Sequence, residues 1–487
     1  MRALVMGGGL AGLSAAVHLV DNGFDVTLLE VEKELGGRAM SWVDADGDTM
    51  DNALHVFFPH YVNILDFFAK VGAPDVIRWT DTLTYFKADG DAAHFTPLNL
   101  PAPLHGMSIA RFHHIGQKDL LRFGPAAMRA LSMSEAAVAS YDRITVEDFM
   151  HRYGVSQHLI DNLLRAMVNG LTFLEPYEVS AKAAAYWIRN LTTTREAVKV
   201  GFARGGLGEI YVRKAVEYVT ERGGKIVSGV GVKSMGLKGK AVLNITPTRG
   251  RNMRADVFVS ALPYGVLRRV LPEEVYRYQY FRNLWRFEEA PSLSAMVWFD
   301  RKVLELGNIA TGIGTVFNWF ADLTQVVPEA FPQEGSVLEL VITPCGHLMP
   351  LSDERIMEMV LADIRKLLPG ARDAQVLKSR LVRERQGIFA QRPHMDRYRP
   401  TQRTPLDNLY LCGDYTMAGH SAGMEGAVVS GKMATSAILL DKMGVVEDYT
   451  LHPHFSTGLT PFIKYGQPAL LALLALVMLK KRLGGKG

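Results

Sequence analysis

A chain of 487 residues exceeds what a single hydrophobic core serves, so more than one folding unit is expected. Apolar residues make up 48% and mean hydropathy is +0.05, which is high for a water-soluble protein and too low for one threaded repeatedly through a bilayer. A dispersed net charge of +4 argues against nucleic acid as a partner while permitting attraction to anionic lipid, and two distant cysteines, Cys345 and Cys412, suit a reducing compartment.

The chain opens on an apolar strand, Arg2-Ala-Leu-Val-Met6, that runs into Gly7-Gly-Gly9-Leu10-Ala11-Gly12 and then a helical stretch, Leu13 to Val20. This is G-x-G-x-x-G in its strand–turn–helix setting. Gly7 allows the tight turn, Gly9 lets backbone approach a pyrophosphate, and Gly12 lets helix pack close on strand. The helix start at Leu10 and Ala11 offers N–H groups and a positive dipole end to phosphates. A second strand, Asp25 to Leu29, ends at Glu30, placed to accept from a ribose hydroxyl pair. Gly36-Gly37-Arg38 follows, a turn that passes close to the cofactor with an arginine able to meet its phosphates. Because the first strand begins at residue 2, no signal peptide is expected and the body is expected on the cytoplasmic side.

Residues 76–199 read as helix-rich and apolar, with helices expected over Asp119–Leu131 and His158–Met167. A glycine turn at Gly205-Gly206, a helix over Ile210–Arg222 and a strand ending near Val232 return the chain to the nucleotide sheet. Asp256–Pro263 reads as the next buried strand. Ser294–Phe299 and Val337–Ile342 read as strands of a second block. Near the end, Leu409-Tyr-Leu-Cys-Gly413-Asp414 is another apolar strand closing on Gly-Asp. Met424-Glu425-Gly426-Ala427 opens a helix whose N–H groups could face the N1/C2=O edge of a flavin. Grips at both ends of so long a chain point to FAD rather than a nicotinamide dinucleotide. Pro468–Leu479 is twelve residues without charge, closed by Lys480-Lys-Arg482. That is short for a bilayer span and is expected to insert into one leaflet, as a peripheral or monotopic anchor.

The motif series Gly7–Ser14, Gly36-Gly37-Arg38, Leu54–Tyr61, Pro103–Gly106, Trp298–Lys302, Tyr398–Pro405, Leu409–Thr416 and Met424–Ala427 resembles the plant- and cyanobacterial-type carotenoid desaturases, within the amine-oxidase-like flavoproteins. Cys412 and His420-Ser421-Ala422 depart from that pattern. The resemblance implies an α/β protein with a discontinuous Rossmann-type FAD-binding domain (1–75, 200–265, 396–445). An inserted α+β substrate domain (76–199, 266–395) and a linker with a C-terminal apolar membrane helix (446–487) complete it. It further implies Val232 against adenine, a cavity lined by His55, Phe57 and Phe58, and Arg301 beside the flavin.

No H-E-x-x-H or other His/carboxylate spacing marks a catalytic metal, and no nucleophile elbow is present. Removing hydride from an allylic C–H needs no nucleophile; it needs a hydride acceptor in an apolar cavity, which flavin N5 supplies. The reading is desaturation of a long apolar polyene or isoprenoid drawn from membrane lipid, with a quinone as electron acceptor by resemblance. Homo-oligomerisation is left open. Alternatives on the same scaffold are a carotenoid isomerase, a ring-aromatising desaturase/methyltransferase, a hydroxysqualene dehydroxylase, an amine oxidase or a non-catalytic FAD scaffold.

Overall fold

The computed structural model describes residues 1–98, 108–109, 111–192 and 196–452. Strand Arg2–Met6 buries four consecutive apolar side chains, Ala3 to Met6, as a strand covered on both faces must. It pairs in parallel with Asp25–Leu29 on one side and Val257–Ser260 on the other. Lys225–Val227 and Leu409–Leu411 complete a five-stranded sheet in which every pairing is parallel. Its five strands thus come from widely separated parts of the sequence. Helices Leu10–Asp21 and Met424–Met443 cross on one face with their backbones in contact. A Cβ on Gly431 would stand 2.5 Å from the Ala11 carbonyl oxygen, and Ser14 Oγ donates to the Val428 carbonyl at 2.9 Å.

A second, seven-stranded sheet runs in the order Val376–Phe389, Glu289–Phe299, Val337–Ile342, Trp319–Asp322, Ile309–Ile313, Leu83–Lys87, Ala92–Phe95. All its pairings are antiparallel except Ile309–Ile313 with Leu83–Lys87. A helical block with its own core includes Gln117–Ser132, Val146–Arg152, Arg165–Thr172 and Ala181–Thr192. Between the sheets lie a small hairpin, Ser41–Val43 with Thr49–Asp51, and a three-stranded ribbon, Val56–Phe57, Val200–Ala203, Ile77–Thr80.

Two expected helices differ. The stretch His158–Met167 is interrupted by a wide π-turn at Ile160–Leu164, and the helix expected from Ile210 starts at Arg213 after a π-turn at Gly208–Val212. The second widening turns the buried Tyr211 so that its hydroxyl donates to the Ala39 carbonyl, tying this turn to the Gly36–Arg38 segment. Among the described residues, no helix is long and apolar enough to cross a membrane. The apolar tail at 468–479 and the Pro103–Gly106 motif lie outside the described residues.

Candidate cofactor cradle and adjoining cavity

Gly7 has φ +105°, and its N–H donates to the Leu29 carbonyl at 2.8 Å, closing the first strand onto the second. A Cβ on Gly12 would collide with the Gly7 carbonyl oxygen. One on Gly9 would find nothing nearer than 3.9 Å, so Gly9 faces open space bounded by Gly36 and Gly37. Gly9 caps helix Leu10–Asp21 without a side-chain bond, and the first N–H spent inside the helix is that of Leu13, on the Gly9 carbonyl. The N–H groups of Leu10, Ala11 and Gly12 therefore stand at the helix mouth. Glu30 accepts from Gly8 N at 2.6 Å and Glu32 N at 3.0 Å, which fixes its carboxylate while leaving lone pairs for a diol. Val230 N–H donates to the Glu30 carbonyl at 2.8 Å, and Val232 lies two residues on, opposite Pro247.

The other half of the cradle comes from the far end of the chain. Gly36 (φ +119°) donates to the Gly8 carbonyl at 2.9 Å, which lays Gly36-Gly37-Arg38 across the glycine turn. Arg38 donates to Asp414 Oδ1 at 2.7 Å and to the Gly387 carbonyl at 2.6 Å, so its guanidinium ties the two ends together. Asp414 Oδ2 is buried without a partner. Gly413 N donates to Ser430 Oγ at 2.7 Å. Behind this loop the buried Arg399 donates to the Asp414 and His420 carbonyls at 2.9 and 3.0 Å, holding 414–420 in shape.

Helix Met424–Met443 starts after Gly423 (φ +131°), again with no side-chain cap. Its free N–H groups are those of Met424, Glu425 and Gly426, because the Ala427 N–H is spent on the Gly423 carbonyl at 3.0 Å. The Glu425 side chain turns away. Its carboxylate accepts from Asn63 N, Asn63 Nδ2 and Ile64 N at 2.8–2.9 Å, and so caps helix Val62–Lys70. An open space at Gly9, an orphaned buried carboxylate oxygen at Asp414 and two glycine-led helix mouths fit FAD: pyrophosphate at Gly9 and the first mouth, ribityl hydroxyls at Asp414, flavin ring at the second mouth.

Beside the Gly36–Arg38 segment lies a cavity walled by Leu54, Phe202, Leu207, Leu323, Val327 and Phe331, with Asp51, His55 and Glu339 among its lining. Asn52 Nδ2 donates to the Arg38 carbonyl at 3.3 Å, and the neighbouring His55 ring lies against the Arg38 and Ala53 backbone, so cavity and cradle adjoin. Burial pulls the His55 pKa down to about 4, so the ring is neutral. Phe58 joins the apolar cluster on this side, edge-on to Trp187. Phe57 does not: strand alternation turns it to the opposite core, against Phe68. Arg301 is not brought to the site either. It lies in the bend after the long strand Glu289–Phe299, exposed and paired to Asp300 at 2.7 Å, and none of its partners among the described residues belongs to cradle or cavity.

The description "Flavin containing amine oxidoreductase" matches residues 10–439. This chain belongs to the flavin-containing amine oxidoreductase family. It is 29% identical over 454 residues to 15-cis-phytoene desaturase of Synechococcus elongatus, covering 90% of this chain and 96% of that one. It is 30% identical over 454 residues to the chloroplastic/chromoplastic 15-cis-phytoene desaturase of an Oncidium hybrid cultivar, covering 91% and 78%. A solved structure of putrescine oxidase shares the fold at TM-score 0.70 with 13% identity, over 90% of this chain and 99% of that one.

Within this flavoprotein, sequence patterns passed over residues that the structure places at the site. Asn63 and Lys432 fix the helix Met424–Met443 against Val62–Lys70, Lys432 donating to Asp66 Oδ2 at 2.6 Å and Asn63 Oδ1 at 3.2 Å. Asp51 and Glu339 meet at the cavity. Glu339 did carry a signal, as a lone acid inside Val337-Leu-Glu-Leu-Val-Ile342, a strand buried at all six positions.

Proposed function

We propose that this FAD-dependent oxidoreductase is a carotenoid desaturase, introducing a C=C bond into a long apolar polyene such as 15-cis-phytoene or zeta-carotene. The observation that carries the reading is the alignment with phytoene desaturases along most of the chain, with a pocket lined by Leu54, Phe202 and Phe331 adjoining the flavin cradle. FAD, when bound, supplies the hydride acceptor. The protein's own residues bind, orient and exclude water. Leu54, Phe202, Val327 and Phe331 offer a polyene apolar contact, and the neutral His55 presents no charge to it. Met424 to Gly426 present helix N–H groups toward the negative edge of a reduced flavin.

The finer reading keeps substrate delivery at a membrane. The twelve uncharged residues at 468–479, closed by Lys480-Lys-Arg482, support leaflet insertion at the cytoplasmic face, with a quinone as electron acceptor and the oligomeric state open. Expression in hosts accumulating phytoene or zeta-carotene, followed by pigment chromatography, tests the function. The expected result is a more desaturated carotene in one of the two hosts. Unchanged pigment in both, with FAD-loaded protein present, overturns it.

A further inference from the structure

Hydride transfer alone does not complete a desaturation, because the neighbouring carbon must also release a proton. Two carboxylic side chains that no described cofactor contact uses meet in the cavity next to the cradle. Asp51 ends the hairpin strand Thr49–Asp51, and Glu339 sits in the middle of Val337–Ile342 of the seven-stranded sheet. Both line the same cavity, so the pair bridges two sheets. Asp51 Oδ1 is buried without a hydrogen-bond partner, and Glu339 has one long bond from Ser294 Oγ at 3.4 Å. Among the described residues, no lysine or arginine lines the cavity. The groups facing the pair from adjoining elements are the neutral His55, the Tyr211 phenol and the Ser294 hydroxyl.

Two buried acids without a cation beside them cannot both ionise at moderate cost, so at least one of them stays protonated. Burial pushes Asp51 up to about 7, and burial together with the Asp51 charge drives Glu339 well above the carboxylate range. A pair carrying one proton keeps a single negative charge and can take up a second proton near neutral pH, which suits a general base.

We propose that the Asp51–Glu339 pair accepts the proton that leaves the substrate as the double bond forms, with Asp51 as the acceptor and Glu339 as its positioning partner. The inference rests on the desaturase reading. One carbon gives up hydrogen with both bonding electrons to FAD. The adjacent carbon's C–H bond breaks toward the Asp51 carboxylate, and its electron pair becomes the new π bond. The added proton leaves to solvent before the next turnover. A pair present only to join the two sheets would do none of this.

The test is anaerobic flavin bleaching by 15-cis-phytoene and by zeta-carotene in phosphatidylcholine liposomes, followed against pH, with infrared spectra of the full-length protein. Wild type is expected to bleach with one of the two carotenes, with a rate inflection near neutral pH. It should also show a protonated-carboxyl band that persists near neutrality. Asp51→Asn is expected to keep FAD, slow bleaching on the order of 10²-fold or more and abolish the inflection. Glu339→Gln, neutral like the protonated acid it replaces, is expected to keep the inflection near neutral pH while losing the protonated-carboxyl band. Bleaching by wild type that both variants reproduce in rate and pH profile overturns the proton-acceptor role alone. So does the absence of a protonated-carboxyl band near neutral pH in wild type. A holo wild type that neither carotene bleaches overturns the desaturase reading itself and the acceptor role with it.

Discussion

The carboxylate of Glu425, near the start of the last described helix, accepts both the backbone and side-chain N–H groups of Asn63 at 2.9 and 2.8 Å. The residue that sequence reading placed at the flavin edge thus spends its side chain capping a different helix, while its backbone N–H remains at the helix mouth. Burial raises the Glu425 pKa, and the Asn63 and Ile64 donors and Lys432 act against that rise.

Glu425→Gln presents an amide N–H to donors already in place and leaves at least one of them unpaired. The expected cost is about 1–3 kcal/mol of stability, seen in thermal unfolding of the holoprotein, with flavin bleaching by carotene changed little. A large loss of bleaching at unchanged stability would place the Glu425 side chain in the chemistry instead.

Gly9 and Gly12 are separated by the same reasoning. Gly9→Val projects into the open space bounded by Gly36 and Gly37, so the protein should fold, stay monodisperse and lose FAD. Gly12→Ala meets the Gly7 carbonyl oxygen and should fail to fold. Flavin absorbance and circular dichroism read both outcomes, and a folded Gly9→Val protein with full FAD would contradict the cradle.

Arg301→Ala should leave bleaching within about twofold of wild type, since an exposed ion pair to the adjacent Asp300 positions nothing at the cavity. A loss of 10²-fold on the scale of a positioning residue would restore it to the site.

His60 packs among Phe58, Tyr61 and Trp187 with both ring nitrogens unpartnered, and burial pulls its pKa down to about 3. The unfolded chain takes up this proton below about pH 6.5, whereas the folded chain does not. Stability therefore falls as pH drops through that window. His60→Phe should flatten the dependence of unfolding free energy on pH between about 4.5 and 6 by one proton, about 1.4 kcal/mol per pH unit. Equal slopes for the two proteins in chemical denaturation would contradict a buried neutral ring.

Deleting residues 461–487 should move the protein from the membrane to the soluble fraction while FAD stays bound, because both halves of the cradle lie before residue 444. Loss of flavin on truncation would make the tail part of the core.

The cradle was readable because its chemistry is local. Gly7, Gly9 and Gly12 stand in one turn, and Asp414 closes one strand, so spacing alone announces them. What spacing cannot announce is direction across the fold. Arg38 was read for its reach to phosphates, and its bond to Asp414 across the fold went unread, while Ala427 was expected to offer an N–H that Gly423 already occupies. Phe57 and Phe58 read identically as letters, yet strand alternation sends them to opposite cores. Asp51 and Glu339 lie far apart in sequence, and only the packing of hairpin against sheet makes them a pair.

The Arg38–Asp414 bond spans 376 residues of chain, and the helix completing that half of the cradle ends at Met443. A ribosome adding about 5–20 residues per second needs roughly 20 to 80 s to pass from the first half of the cradle to the second. Throughout that interval the helix Leu10–Asp21 lacks its partner, and once Val257–Ser260 has been made its edge awaits Leu409–Leu411. The nascent protein must therefore shield a half-built sheet before it can hold any flavin. Cofactor loading thus follows synthesis of the helix Met424–Met443.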